Sequence, residues 1–382
     1  MDLSRDIDDE EIRQIIRREI IHSARDRPLP IFERVQLERE IFNSLRKLDA
    51  LQELLEMPGV TEIMINGPDK IFIEEAGRLK RSTISFSSEE KLYDVIQQIV
   101  AENNRVVNES CPIVDTKLMD GSRVNVILPP VSVDGATVTI RRFPDERITM
   151  EKLLAYGSLN GEIADFLEKL VRTGYNIFVC GGTGSGKTTF LNALTDFVPR
   201  DERVITIEDS AELQIRGVEN LVRLETRNAT LEGKLEIRIR DLVRAALRMR
   251  PDRIVVGECR GAEALEVLTA ANTGHDGTLS TGHANSCRDM VSRLETMVLM
   301  ASDVDLPVSA IRKQIASGID IFIHLGRIKT GERKLLEIAE VMGMEDNEVK
   351  LSTLYAYEES GDTGGWIRKN ELEHTKKLLQ KG

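Results

Sequence analysis

The stretch Gly181-Gly182-Thr183-Gly184-Ser185-Gly186-Lys187-Thr188 constrains this chain more than any other. It has the spacing of a phosphate-binding loop: glycine, four residues, glycine, lysine and a hydroxyl residue. Glycines let a backbone wrap tightly with its N–H groups turned inward on an anion. Such a loop needs a strand before it and a helix after it. Tyr175-Asn176-Ile177-Phe178-Val179-Cys180 has the apolar run of a buried strand, and Thr189-Phe190-Leu191-Asn192-Ala193-Leu194 has the pattern of a first helical turn. The N-terminus of that helix would add a partial positive charge at the same point. The expectation is a nucleotide held by Gly181, Gly182, Thr183, Gly184, Ser185, Gly186, Lys187, Thr188 and Thr189. Lys187 would reach the β- and γ-phosphates of ATP, and the Thr188 hydroxyl would ligate Mg²⁺. A chance match is the alternative, and the flanking strand and helix argue against it.

A chain of 382 residues has room for two or three domains around this loop. Residues 1–57 read as an N-terminal helical segment, with Ile12, Ile15, Ile16 and Ile20 on one stripe. Pro28 and Pro30 separate its first helix from a second that runs from Phe32 to Leu55 with a break near Leu48. The segment either docks on its own domain or binds a partner. From Pro58-Gly59 the pattern changes to a small mixed α/β domain over residues 58–142. Strands are expected at Thr61–Asn66, Lys70–Glu75, Ile84–Phe86, Arg123–Ile127 and Thr137–Arg142. Ser88 reads as the N-cap of a helix from Glu89 to Glu102. Pro144 and the charges beside it mark a linker at 143–150. A second α/β domain follows over 151–345. It has a helix from Asn160 to Arg172, strands at Val204–Glu208, Leu221–Leu224 and Arg253–Val256, and a helix from Ile239 to Arg250. Late strands fall at Ile319–Leu325 and Arg333–Val341. Helix and strand alternate, which favours a largely parallel sheet. Residues 346–382 read as a polar C-terminal appendage ending in a helix from about Glu371.

The net charge of −12 and the 4% aromatic content disfavour a protein that grips nucleic acid through its phosphates and stacks its bases. Cys111, Cys180, Cys259 and Cys287 are widely spaced, which fits neither a zinc site nor a disulfide framework and suggests a reducing, cytoplasmic setting. The acidic start of the chain does not resemble a signal peptide. No run of about 18 apolar residues is present. Membrane association is therefore expected through partners.

An NTPase needs a carboxylate at the end of a buried strand beside the γ-phosphate. Ile254-Val255-Val256-Gly257-Glu258 offers one, with Glu258 as general base for an attacking water. Ile205-Thr206-Ile207-Glu208-Asp209 offers a second acidic strand end. Glu208 or Asp209 would hold a Mg²⁺-bound water, or else cap a helix. Gly274 to Asn285 carries His275 and His283 among Thr, Ser and Asn, which suggests a γ-phosphate sensor; a structural histidine is the alternative.

These four stretches, in this order, resemble the secretion ATPases of the type II and type IV families, where they are the Walker A loop, the aspartate box, an atypical Walker B and the histidine box. Leu247-Arg248-Met249-Arg250-Pro251-Asp252, Val256-Gly257-Glu258-Cys259-Arg260-Gly261 and Arg293-Leu294-Glu295 match closely. Ile65-Asn66-Gly67-Pro68-Asp69-Lys70-Ile71, Asp120-Gly121-Ser122-Arg123-Val124-Asn125 and Thr139-Ile140-Arg141-Arg142-Phe143 resemble the CpaF-type branch, which powers tight-adherence (Flp-type) pili. The resemblance implies a RecA-like P-loop NTPase domain behind the small α/β domain, in a homohexameric ring. It implies that Arg123 and Arg141 approach the phosphates from the N-terminal domain, and that Arg248 and Arg250 meet a neighbouring subunit. It further implies ATP hydrolysis with Mg²⁺ at the inner face of the cell membrane, passed as motion to an inner-membrane platform protein that assembles pilin. Two rivals remain: a nucleotide-binding regulatory or scaffold subunit without turnover, and a RecA-like nucleic-acid motor.

Overall fold

The structure is a computed structural model that describes residues 8–24, 29–75, 77–143, 147–227, 236–301, 306–360 and 363–381. The chain divides into two compact units, Met1–Asp145 and Glu146–Gly382. The centre of the expected linker, residues 144–146, lies outside the described residues.

The first unit begins with helices α1 (Asp9–Ser23), α2 (Ile31–Arg46) and α3 (Ala50–Glu56). The expected break near Leu48 is present, because Asp49 takes a positive φ of 51° and its side chain accepts from the Ala50 N–H. Helices α1 and α2 share a small core of Ile16, Ile20 and Phe42. Helix α3 instead contributes Leu51 and Leu54 to the main core of the unit. That core lies under an antiparallel sheet of order β3-β2-β1-β6-β5-β4, with β1 (Val60–Asn66), β2 (Ile71–Glu75), β3 (Arg78–Arg81), β4 (Ile113–Lys117), β5 (Arg123–Ile127) and β6 (Thr137–Arg141). Helix α4 (Glu89–Glu102) packs on it through Leu92, Val95, Ile96, Ile99 and Val100. The Ser88 hydroxyl accepts the Lys91 N–H at its N-cap. The strand expected at Ile84–Phe86 is irregular. The hairpin partner of β2 is β3, an exposed and charged edge that apolar patterning does not reveal.

The second unit contains α5 (Met150–Ala155), α6 (Gly161–Arg172), β7 (Ile177–Gly181), α7 (Lys187–Thr195), β8 (Val204–Glu208), β9 (Leu221–Glu225), α8 (Ile239–Ala246), β10 (Arg253–Val256), α9 (Ala264–Asn272), β11 (Leu279–Gly282), α10 (Cys287–Leu299), α11 (Val308–Gly318), β12 (Ile321–Arg327), β13 (Arg333–Glu345), β14 (Glu348–Ser360), β15 (Thr363–Arg368) and α12 (Lys376–Lys381). Its described strands form one sheet of order β15-β14-β13-β12-β7-β11-β10-β8-β9. The run from β12 to β9 is parallel, and β12 to β15 continue it antiparallel. Strand β7 is covered on both faces. Ile177 and Val179 enter one core with α6 and α7, and Phe178 and Cys180 enter another with α9, α10 and α11.

Three expectations change here. Helix α8 stops at Ala246 rather than Arg250, where Arg250 takes a φ of 54° just before Pro251. The polar stretch around His275 and His283 contains β11, a central strand between β7 and β10. Residues 348–368 are two further strands of the same sheet, and α12 follows them. Tyr355 is buried in the unit's core, and Trp366 Nε1 donates to the Leu335 carbonyl.

Candidate functional site

The glycine-rich loop joins β7 to α7 at the carboxyl edge of the parallel strands, the edge where open α/β sheets bind ligands. Two glycines have steric reasons to be glycine. A Cβ on Gly181 would collide with the Leu325 carbonyl oxygen and lie 2.6 Å from Ser185 Oγ. Gly186 takes a φ of 93° as the N-cap of α7. Gly182, Thr183 and Gly184 are exposed, Thr188 and Thr189 are half-buried in the first turn of α7, and Ser185 and Lys187 are buried. The Ser185 hydroxyl has no hydrogen-bond partner.

An ammonium has three protons to donate. In this structure Lys187 Nζ gives them to the Gly181 carbonyl at 3.0 Å, the Gly182 carbonyl at 3.0 Å and His283 Nδ1 at 3.3 Å. Burial lowers its pKa, and Glu258 opposes that shift. The imidazole pKa is lowered by burial first and then by the Lys187 ammonium, so His283 is neutral at pH 7. Nδ1 therefore accepts from Lys187, which leaves the proton on Nε2. Nε2 lies 2.7 Å from Glu258 Oε1. That approach is not aligned as a hydrogen bond, and Oε1 is buried without a donor. The other oxygen, Oε2, accepts from Arg260 Nη2 at 2.6 Å and Nε at 2.9 Å. Four side chains from three elements thus converge: Lys187 from α7, His283 from just after β11, and Glu258 and Arg260 from just after β10. His275 lies before β11, at its opposite end, so only His283 of the pair joins the cluster.

Glu208 ends β8, the strand next to β10. Its Oε1 accepts the backbone N–H groups of Glu212 and Leu213, both at 2.9 Å, which fixes the acidic loop 209–213. Its Oε2 is buried with no partner. Gly257 makes room for it, since a Cβ there would lie 2.9 Å from Glu208 Cγ. Burial pushes the Glu208 pKa up to about 7 from 4.5, against the pull of the two backbone donors. Between those values the folded protein holds a proton that the unfolded chain has released. Stability therefore falls as pH rises through that window, and the penalty is complete above it. The expected result, by thermal melting of nucleotide-free protein, is a Tm that drops between pH 5 and pH 8 in the wild type and drops less in Glu208→Gln. Parallel curves for the two proteins would refute it.

Two arginines that the sequence did not mark also hold the loop. Arg327 Nη2, at the end of β12, and Arg333 Nε, at the start of β13, donate to the Gly184 carbonyl at 3.3 and 2.8 Å. A carbonyl held from outside the loop favours N–H groups that face inward. No local motif marks these two residues, because their role depends on β12 pairing with β7.

Arg123 and Arg141 belong to the first unit, where they are directly opposite on β5 and β6. Opposed residues of an antiparallel pair share a face, and like charges so placed repel. Glu62 on β1 flanks Arg141 from the other side and offsets part of that cost. Among the described residues, no helix is long and apolar enough to cross a membrane.

The family model described as type II/IV secretion system protein matches residues 45–335. A putative conjugal transfer protein of Mycobacterium tuberculosis is 34% identical over 331 residues, spanning 83% of this chain and 93% of that protein. The type IV secretion system protein PtlH of Bordetella pertussis is 32% identical over 303 residues, spanning 73% and 89%. The ATPase DotB of Legionella pneumophila shares the fold with a TM-score of 0.56 at 24% identity, over 76% of this chain and 79% of that one.

Proposed function

This chain belongs to the type II/IV secretion system protein family, and from that premise we propose that it is a Mg²⁺-dependent ATPase that powers pilus assembly or protein secretion. The observation that carries the reading is the convergence of Lys187, His283 and Glu258 behind a glycine-rich loop. In this reading ATP takes the place of the carbonyls and of His283 as the acceptor of the Lys187 protons. His283, released, turns its ring to the γ-phosphate. Glu258 Oε1, which has no donor, accepts the proton of the attacking water. Ser185, Thr188 and Thr189 meet the phosphates from the loop and the first turn of α7.

The oxygen ligands that Mg²⁺ prefers are at hand: the half-buried Thr188 hydroxyl and the partnerless Glu208 Oε2 on the same sheet edge. Thr188 would hold the ion directly, and Glu208 or Asp209 would hold its water. The ion would neutralise phosphate charge. Arg123 and Arg141, directly opposite on β5 and β6, would supply further positive charge from the N-terminal unit.

The finer reading is a CpaF-type homohexamer in the cytoplasm, held at the inner membrane by a platform protein of a tight-adherence pilus. The motif stretches Ile65 to Ile71 and Asp120 to Asn125 support that branch. The test is ATP turnover by purified protein with Mg²⁺ and with EDTA, together with the mass of the assembly in solution. Turnover that requires Mg²⁺ in a particle of six chains is the expected result. A folded particle that binds ATP and never turns it over, even with membranes present, would support the scaffold reading instead.

A further inference from the structure

Arg260 has no part in the mechanism above, yet its guanidinium contacts Glu258 directly and lies near Asp209. Its guanidinium grips one oxygen of Glu258 with two nitrogens, at 2.6 and 2.9 Å. Its third nitrogen, Nη1, lies 4.0 Å from Asp209 Oδ2, in the acidic loop after β8. The turn that carries Arg260 is itself fixed. Glu263 Oε1 accepts the backbone N–H groups of Arg260 and Gly261, at 2.6 and 2.8 Å. On the other side, Cys259 is buried and its N–H donates to the Thr281 carbonyl at 2.8 Å. The guanidinium therefore starts from a rigid base, although its own tip is exposed.

An exposed ion pair contributes little to stability as a rule. This one has a geometric consequence instead. Glu258 has two oxygens, and Arg260 occupies only Oε2. Oε1 is left buried, without a donor and on the side of His283 and Lys187. Two donors from one planar guanidinium hold Oε2 in place more firmly than the single donor of a lysine could. We propose that Arg260 is the positioning residue for Glu258: it holds Oε2 so that Oε1 faces the attacking water. This rests on the reading of Glu258 as the general base.

The inference makes Arg260 act through Glu258 and not on ATP. Its loss should therefore appear in kcat and not in KM. With the full-length protein, Arg260→Gln is expected to lower kcat about tenfold or more, with KM for ATP and the affinity for a fluorescent ATP analogue within about twofold of wild type. Arg260→Lys keeps one donor to Oε2 and is expected to recover part of the loss. The deciding comparison is the double variant. Once Glu258 is glutamine, removing Arg260 should cost nothing further, so Glu258→Gln/Arg260→Gln should match Glu258→Gln alone.

The outcomes separate cleanly. Multiplicative losses in the double variant, or a loss borne by KM, overturn the positioning role while leaving Glu258 as the base. A Glu258→Gln enzyme as active as wild type overturns the base reading and this inference with it. Arg260→Ala serves as the second neutral variant if Arg260→Gln does not fold. Failure of both to fold would assign Arg260 a structural role and overturn the proposal.

Discussion

Replacing Glu258 with glutamine is expected to lower kcat for ATP hydrolysis by about 10²–10⁴-fold while ATP still binds. Glutamine has nearly the same shape and can still accept from Arg260, so the end of β10 should keep its fold. What it lacks is basicity at the position of Oε1, the one buried oxygen of the side chain without a donor. The Lys187 contacts to the loop carbonyls and to His283 do not pass through Glu258, so nucleotide affinity should be retained or increased. The check is single-turnover hydrolysis beside equilibrium binding of ATP. A variant that turns over like wild type would remove Glu258 from the base role and would direct attention to Glu208, the other strand-end acid. A variant that no longer binds ATP would instead make Glu258 part of the binding site.

Truncating Arg253 to alanine should destabilise the second unit by about 3–5 kcal/mol, a loss on the order of ten degrees in Tm for a unit of this size. Arg253 is fully buried at the start of β10. Its Nε and Nη2 donate to the two oxygens of Glu202 at 2.7 and 3.0 Å, and Nη1 donates to the Val171 carbonyl at 2.8 Å. The guanidinium fills space that Gly277 leaves open, since a Cβ at Gly277 would lie 2.6 Å from Arg253 Cζ. Alanine would strand the Glu202 carboxylate and the Val171 carbonyl and would leave a cavity. Most of the loss comes from the stranded charge, so Arg253→Met combined with Glu202→Met should recover a large part of it. Thermal or urea unfolding of the three proteins checks this. An Arg253→Ala protein within about 1 kcal/mol of wild type would place the pair among weak surface contacts.

The sequence made the local pieces legible. Ser88 and Asn160 cap the helices that their spacing indicates, and both side chains accept the N–H three residues on. The loop from Gly181 to Thr188 lies between a buried strand and a helix, as its glycines and its flanking apolar run require. Glu208 ends β8 and Glu258 lies two residues past the end of the neighbouring β10, so the apolar runs before them carry both acids to the same sheet edge. These are effects of residues close in sequence, and pattern reads them well.

What pattern did not give was decided between distant segments. Leu279-Ser280-Thr281-Gly282 is too polar and too short to read as a strand. It becomes one because β7 and β10 satisfy its backbone from both sides and helices cover both faces. The region after 345 alternates only weakly, and pairing of β13 with β14 turns it into sheet. The part of Gly274 to Asn285 that meets the loop was likewise fixed by β11, which sends His283 toward Lys187 and His275 to the far end. Arg327 and Arg333 carry no local signal, since each has its effect on a loop carbonyl that the pairing of β12 with β7 brings near, whereas Arg260 meets Glu258 from two residues away within one motif. By itself, then, the sequence determined the loop, the caps and the strand-end acids, whose causes lie within a few residues. The tertiary structure alone decided which histidine and which arginines join them, because strand order and register set those distances.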